Sequence, residues 1–224
     1  MTRKSRQETQ VGLSAEQLRS SLDALAAIEP AFAHGIERAG YPEPRIRERG
    51  YETLLRTIVG QQVSVAAASS IWNKLEAAVG SGLAPALVAA APDELLRGAG
   101  LSRQKTSYAK SLAEKVAAGE LDLERLPVGD EEAVSALTQI KGIGRWSAEI
   151  YLLFAEGRAD IWPAGDLAVQ IETGQIMGLE DRPSEKITRE LAANWRPHRG
   201  AAAIFAWHHY GHRLRIAAAG KIPL

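Results

Sequence analysis

No cysteine occurs among the 224 residues of this chain. That absence excludes disulfides, thiol nucleophiles and cysteine-ligated metal centres. Net charge is also absent, because 27 Lys and Arg offset 27 Asp and Glu. Any polyanionic partner must therefore be held locally, by aimed dipoles and a few basic side chains. The longest apolar runs fall well short of the ~20 residues that a membrane-spanning helix needs. A period-2 alternation, the mark of a half-buried strand, is missing throughout. The opening MTRKSRQETQ is polar and has no apolar h-region, so no secretory signal is expected there. Residues 1–12 read as a disordered tail. What remains is 46% apolar, enough to build a real core over residues 13–224.

Helix signals recur along the chain. Ser14 with Gln17 makes a capping-box pattern, opening a helix to about Ile28. Pro30 starts a second, ending near Gly40, and YPEPR (residues 41–45) is an extended connector. Tyr51 to Val59 places Leu54, Leu55 and Ile58 on one face. GQQ, residues 60–62, interrupts, and Ser64 caps a helix to about Val79. GSGLAP reads as a loop, and Pro92 as the first turn of the next helix. Ser102 caps a helix to about Ala118, and Asp130 caps another. Late helices follow Asp166 and Ser184, and the last spans Arg199 to about Ala218. The predicted class is all-α.

Chemistry concentrates in residues 137–166, LTQIKGIGRWSAEIYLLFAEGRADIWPAGD. A helix breaks at KGIG and resumes near Arg145. Gly142 and Gly144 lack Cβ atoms, which lets the backbone turn sharply and approach another molecule. Their N–H groups, with those of Ile143 and Arg145, stand at a helix N-terminus, where unsatisfied donors and partial positive charge suit a phosphate. Arg145 is expected to add a full charge, and Ile143 to plug into the core. The Pro/Gly loop ends in a lone carboxylate, Asp166, which is a natural helix N-cap.

These residues resemble the helix-hairpin-helix plus Gly/Pro-loop-Asp signature of a DNA glycosylase superfamily. GIGRWSAEIYLLF followed by WPAGDLAV is most similar to its AlkA/Mag-type branch, the 3-methyladenine DNA glycosylases II. LLRTIVGQQVSVAAASSIW, residues 54–72, resembles that branch's first long core helices and the turn between them. The likeness covers roughly residues 45–215 and implies a two-lobed helical bundle with the hairpin at the cleft. The expected lobes are about 54–155, and about 13–53 with 156–224, within one glycosylase domain.

The resemblance maps the catalytic aspartate onto Asp166. It implies excision of alkylated purines from double-stranded DNA in base excision repair. An N3- or N7-alkylated purine is already cationic and leaves readily, so one fixed carboxylate beneath the oxocarbenium-like sugar suffices. The base must first flip out of the stack, and a cationic base favours aromatic faces. Trp146 and Trp207 are the pocket candidates, followed by Trp162 and Tyr151, while Trp72 and Trp195 read as core. Gln62 aligns with the intercalating wedge, where relatives often carry an apolar residue, and Gln61 adjoins it. DNA contacts are expected from Gln61, Gln62, Gly142, Ile143, Gly144 and Arg145. A weaker echo of the hairpin, LRGAGLSRQKTSYAKSLA (residues 96–113), offers Arg103 and Lys105 to a second phosphate.

By the same resemblance, main-chain carbonyls of Thr138, Lys141 and Ile143 are candidates to hold Na⁺ or K⁺. The iron–sulfur cluster of some relatives is excluded, and no cofactor is expected. His208, His209 and His212 carry no HExxH and no neighbouring cysteine or carboxylate ligand, so a solvated or DNA-facing histidine face is expected. Relatives with lyase activity place a lysine where Trp146 stands, which implies a monofunctional hydrolase. The expected setting is a cytoplasmic monomer, nucleoid-associated or nuclear with its DNA, and no membrane partner. Two alternatives stay open. One is a non-catalytic hairpin module that only holds DNA, and the other is a glycosylase for deaminated or mispaired bases.

Overall fold

The computed structural model describes residues 13–219. The predicted tail at 1–12 lies outside the described residues. Among those described there are twelve α-helices, two short 3₁₀ turns and no strand, as the missing period-2 pattern requires. No described helix is long and apolar enough to cross a membrane.

Serine decides where several helices begin. Ser14, Ser64, Ser102 and Ser184 each accept a hydrogen bond from the backbone N–H three residues on. They start α1 (Ala15–Ile28), α4 (Val65–Val79), α7 (Arg103–Ala117) and α11 (Glu185–Leu191). A hydroxyl that satisfies one orphan N–H contributes about 1 kcal/mol to each helix. At α1 the box is reciprocal, with Gln17 reaching back to the Ser14 N–H. Proline starts α2 (Pro30–Ala39), where its missing N–H costs nothing.

The chain divides into two units. One joins the segment up to Arg47 with that from Glu156 onward. Its elements are α1, α2, α10 (Leu167–Ile176), α11 and α12 (Arg199–Ala218). Leu18, Leu22 and Leu25, at helical spacing on α1, are buried. Phe32 meets Trp195 edge-on at 5.0 Å and Phe205 at 5.9 Å, and Trp195 meets Trp162 edge-on at 5.5 Å. Gly35 lets α2 approach α12, since a Cβ there would sit 3.0 Å from the Phe205 ring.

The other unit is Glu48–Ala155 and holds α3 (Tyr51–Gly60), α4, α5 (Pro85–Ala90), α6 (Asp93–Gly98), α7, α8 (Asp130–Thr138) and α9 (Arg145–Phe154). Leu54, Leu55, Ile58, Leu96, Leu112, Leu137 and Leu152 are at most 1% exposed and form its centre. Two details depart from the sequence expectations. GSGLAP is not wholly a loop: it contains a 3₁₀ turn, Ser81–Leu83, and Pro85 opens α5. That six-residue helix buries only Val88, so it is too short to show a period, and it persists by packing on α7. Asp130 is the first residue of α8 rather than its cap, a position held by Gly129. Its carboxylate still lies at the favourable end of the helix dipole.

Candidate active site and hairpin

The hairpin belongs to the second unit. Gly142 has φ +84°, and a Cβ there would fall 2.1 Å from a ring carbon of Tyr108. Glycine is required twice over, by conformation and by contact. Gly144 differs from Gly142. Its φ is −84°, a region open to any residue, and no atom lies within 4 Å of its would-be Cβ. The space beside it is open to an approaching group. Ile143 is 3% exposed and donates its N–H to the Ile140 carbonyl at 3.0 Å, so it does anchor the turn in the core. Gly144 is the N-cap of α9, and no side chain caps that end among the described residues.

The guanidinium of Arg145 is not an isolated positive charge. Its Nη2 lies 2.5 Å from Glu131 and its Nε 2.9 Å from Glu149, whose side chain is buried. The Glu131 hydrogen bond, opposed by desolvation and supported by Glu149, holds its pKa above the ordinary arginine value. Most of the charge expected to meet a phosphate is therefore spent within the protein. The next residue on α9, Trp146, leaves 47% of its surface exposed. Tyr151 lies on the buried side, and its hydroxyl accepts the Gly50 N–H at 2.9 Å.

The α3–α4 turn lies in the same unit. Gln61 does not simply brace its own turn. Its Nε2 donates to the Gly142 carbonyl, 81 residues away, at 2.8 Å. Gln62 is exposed with φ +55°, a left-handed conformation that side chains seldom adopt. Val65, just beyond it, is 85% exposed. Lys105, expected at a phosphate, instead donates Nζ to the Val59 carbonyl at 2.8 Å, and partial burial lowers its pKa. Arg103 is exposed. The hairpin's own backbone bonds accept at Leu137, Ile140 and Gly144, which leaves the carbonyls of Thr138, Lys141 and Ile143 outside that ladder.

Asp166 and Trp207 belong to the first unit. The loop before α10 is tied down locally: Ala164 N–H reaches the Trp162 carbonyl, Asp166 N–H the Pro163 carbonyl, and Gln170 Nε2 the Ala164 carbonyl. Asp166 caps α10, with Oδ1 accepting the Val169 N–H at 3.0 Å. The same Oδ1 accepts the indole N–H of Trp207 at 3.0 Å from α12, 41 residues along the chain. Two donors from two helices thus fix one oxygen of a half-buried carboxylate. Trp162 is 3% exposed, donates to the Thr188 carbonyl at 3.0 Å and supports this loop from within the core. Trp72 and Trp195 are core residues, each 3% exposed.

The histidine segment departs from the solvated face expected of it. His209 is buried, and its Nδ1 bonds the wholly buried carboxylate of Glu172, which also takes Arg213 Nη1 at 2.6 Å. His208 Nε2 bonds the Ala39 carbonyl at 2.7 Å. Burial lowers the pKa of His212, and the positive charges nearby add to the shift. No group of three or more His, Cys, Asp or Glu among the described residues is placed to hold a metal ion. Glu172, Arg213 and Tyr108 were not singled out from sequence. One signal was available for Glu172, the only carboxylate within the otherwise uncharged α10.

Comparison with known proteins agrees with this layout. Residues 55–197 match the family described as HhH-GPD superfamily base excision DNA repair protein. The chain is 32% identical over 167 residues to DNA-3-methyladenine glycosylase 1 of Schizosaccharomyces pombe, covering 72% of each chain. The solved structure of that organism's 3-methyladenine DNA glycosylase (Mag1) in complex with abasic DNA matches with a TM-score of 0.71. There the identity is 28%, over 84% of this chain and 95% of the other. The DNA-3-methyladenine glycosidase of Bacillus halodurans matches with a TM-score of 0.78 at 30% identity, over 87% and 91% of the two chains.

Proposed function

The chain belongs to the HhH-GPD superfamily of base excision DNA repair proteins, and from that premise we propose that it is a monofunctional DNA N-glycosylase that excises alkylated purines of the 3-methyladenine type. The observation that carries the reading is Asp166, a carboxylate held by the Val169 and Trp207 N–H groups. A module that only grips DNA has no use for an aspartate fixed in this way. The names of the 3-methyladenine glycosylase and the glycosidase it resembles support the substrate class.

Mechanism follows from the charges. The damaged nucleotide leaves the double helix, and its cationic base meets an aromatic face. The C1′–N bond breaks, its electron pair leaves with the base and neutralises it, and positive charge grows on the sugar. Asp166 stabilises that charge from a preset position, which costs no reorganisation at the moment of reaction. A water oxygen then bonds to C1′, its proton passes to Asp166 or to solvent, and an abasic strand remains. The uncapped start of α9, with open space at Gly144, receives a backbone phosphate. The unused carbonyls of Thr138, Lys141 and Ile143 are hard oxygen donors, suited to a monovalent cation that would add positive charge there.

Trp146 stands where a lyase needs an amine, so water completes the reaction and the strand stays intact. The test is incubation with methylated duplex DNA, with released bases identified by mass. The expected result is 3-methyladenine in the supernatant, and strand breaks only after hot alkali. Release of no alkylated base would overturn the glycosylase reading. Breaks without alkali, or a borohydride-trapped covalent complex, would overturn the monofunctional part alone.

A further inference from the structure

The proposed reading needs two things of the second unit: a hairpin that grips phosphate and a turn that enters the duplex when the base leaves. These lie 81 residues apart in sequence, yet the side chain of Gln61 joins them through its 2.8 Å bond to the Gly142 carbonyl. Helix α7 holds both from one side. Near its start, Lys105 Nζ donates to the Val59 carbonyl at 2.8 Å, at the last turn of α3 and just before the GQQ turn. Three residues on, the ring of Tyr108 covers Gly142 so closely that no Cβ fits between them. Lys105 and Tyr108 share a helix face at i, i+3. Three contacts therefore close a ring from the α3 end, through α7, to the hairpin and back to the turn.

Gln62 sits at the open edge of that ring. It is exposed, and its φ of +55° is a conformation that persists only where the surroundings impose it. The neighbour that holds the turn is Gln61. A polar Gln62 has little apolar surface with which to force bases apart, so its placement must do more of the work. We propose that Gln61 is a positioning residue: through Gly142 it locks the α3–α4 turn to the phosphate-binding hairpin, so that seating the hairpin on DNA sets how deeply Gln62 enters the stack. Lys105 and Tyr108 brace the same lock. The inference rests on the glycosylase reading for the existence of a flipped state, and its test separates the two.

The probe is a duplex carrying a tetrahydrofuran abasic analogue with 2-aminopurine as its neighbour, whose fluorescence rises on unstacking. Wild type, Gln61→Ala, Gln61→Glu, Gln62→Ala and the double variant Gln61→Ala/Gln62→Ala are compared. Gln61→Glu keeps the shape and loses the N–H donor. Both Gln61 variants are expected to lower the equilibrium for the unstacked complex about two- to tenfold, the effect of one hydrogen bond. The quantity read is the unstacked fraction of bound probe at saturating protein, so that a general loss of affinity or of thermal stability in the Gln61 variants does not enter it. The deciding result is the cycle. If Gln61 acts through Gln62, Gln61→Ala has no further effect in the Gln62→Ala background. An equal loss in both backgrounds, or no loss from either Gln61 variant, overturns the proposal. A wild-type protein that neither unstacks this probe nor releases alkylated bases instead refutes the glycosylase reading.

Discussion

Helix α9 and helix α10 both begin just after a Gly-containing turn, yet their first turns are finished differently. At α10 the chain supplies its own cap: Asp166 accepts the Val169 N–H, and Trp207 donates to the same oxygen. At α9 the cap position is Gly144, which has no side chain to offer and nothing within 4 Å of where one would begin. The same orphan N–H groups and the same dipole are present at both ends. In one case the protein fills them and so fixes a carboxylate for chemistry. In the other no side chain of the protein caps the end, which leaves room for a phosphate. On the proposed reading, the difference of one residue, Asp against Gly, divides reacting from gripping.

Five substitutions break or sharpen this contrast. The largest effect is expected from Asp166→Asn. Asparagine caps as well as aspartate, so α10 and DNA binding should persist while single-turnover base release falls by ~10²–10³. Near-normal release would move the chemistry away from α10. Next is Trp207→Phe, which keeps an aromatic ring and removes the N–H. A hydrogen bond to a charged group contributes about 1.5–3 kcal/mol, so release should slow by about tenfold or more. An unchanged rate would assign Trp207 to packing alone.

On the α9 side, Gly142 and Gly144 should behave unequally. Gly142→Ala imposes a positive φ on alanine and drives its Cβ into Tyr108, so thermal or denaturant unfolding should show a loss of about 1–3 kcal/mol. Gly144→Ala should leave stability within about 0.5 kcal/mol, with its cost appearing in DNA affinity. Equal stability losses at both would mean that the open space at Gly144 is not there in solution. The smallest effect is expected from Arg145→Gln. Binding should weaken with salt at a log–log slope of roughly −2 to −4, for a handful of phosphates. Because Arg145 is already paired with Glu131 and Glu149, its loss should change that slope by less than the ~1 of a direct phosphate contact. A full unit lost would show that the arginine leaves its carboxylates for DNA.

The features legible in sequence are those whose physics spans three or four residues. A serine and the N–H three positions on are neighbours in any helix start, so Ser14, Ser64, Ser102 and Ser184 announced α1, α4, α7 and α11. Asp166 as a cap was legible for the same reason. Helix α5 was not, because PALVAA has no polar cap and too few turns to display a period. The pairing of Arg145 with Glu131 was also hidden, since those residues face each other only after the hairpin has closed. His209 looked solvated because its partner, Glu172, lies 37 residues away on another helix.

Local chemistry therefore determined the class, the helix starts, the KGIG break and the position of the carboxylate. It also excluded cysteine chemistry outright. Only the tertiary structure decided which side chains those elements would share. It put the Trp207 N–H on Asp166, and it turned Gln61 toward Gly142 rather than its own turn. It also spent Arg145 and Lys105 inside the protein. The physical reason is the range of the forces. Capping and dihedral preference act along a few residues of chain, whereas a hydrogen bond between helices depends on packing that no short window of sequence contains.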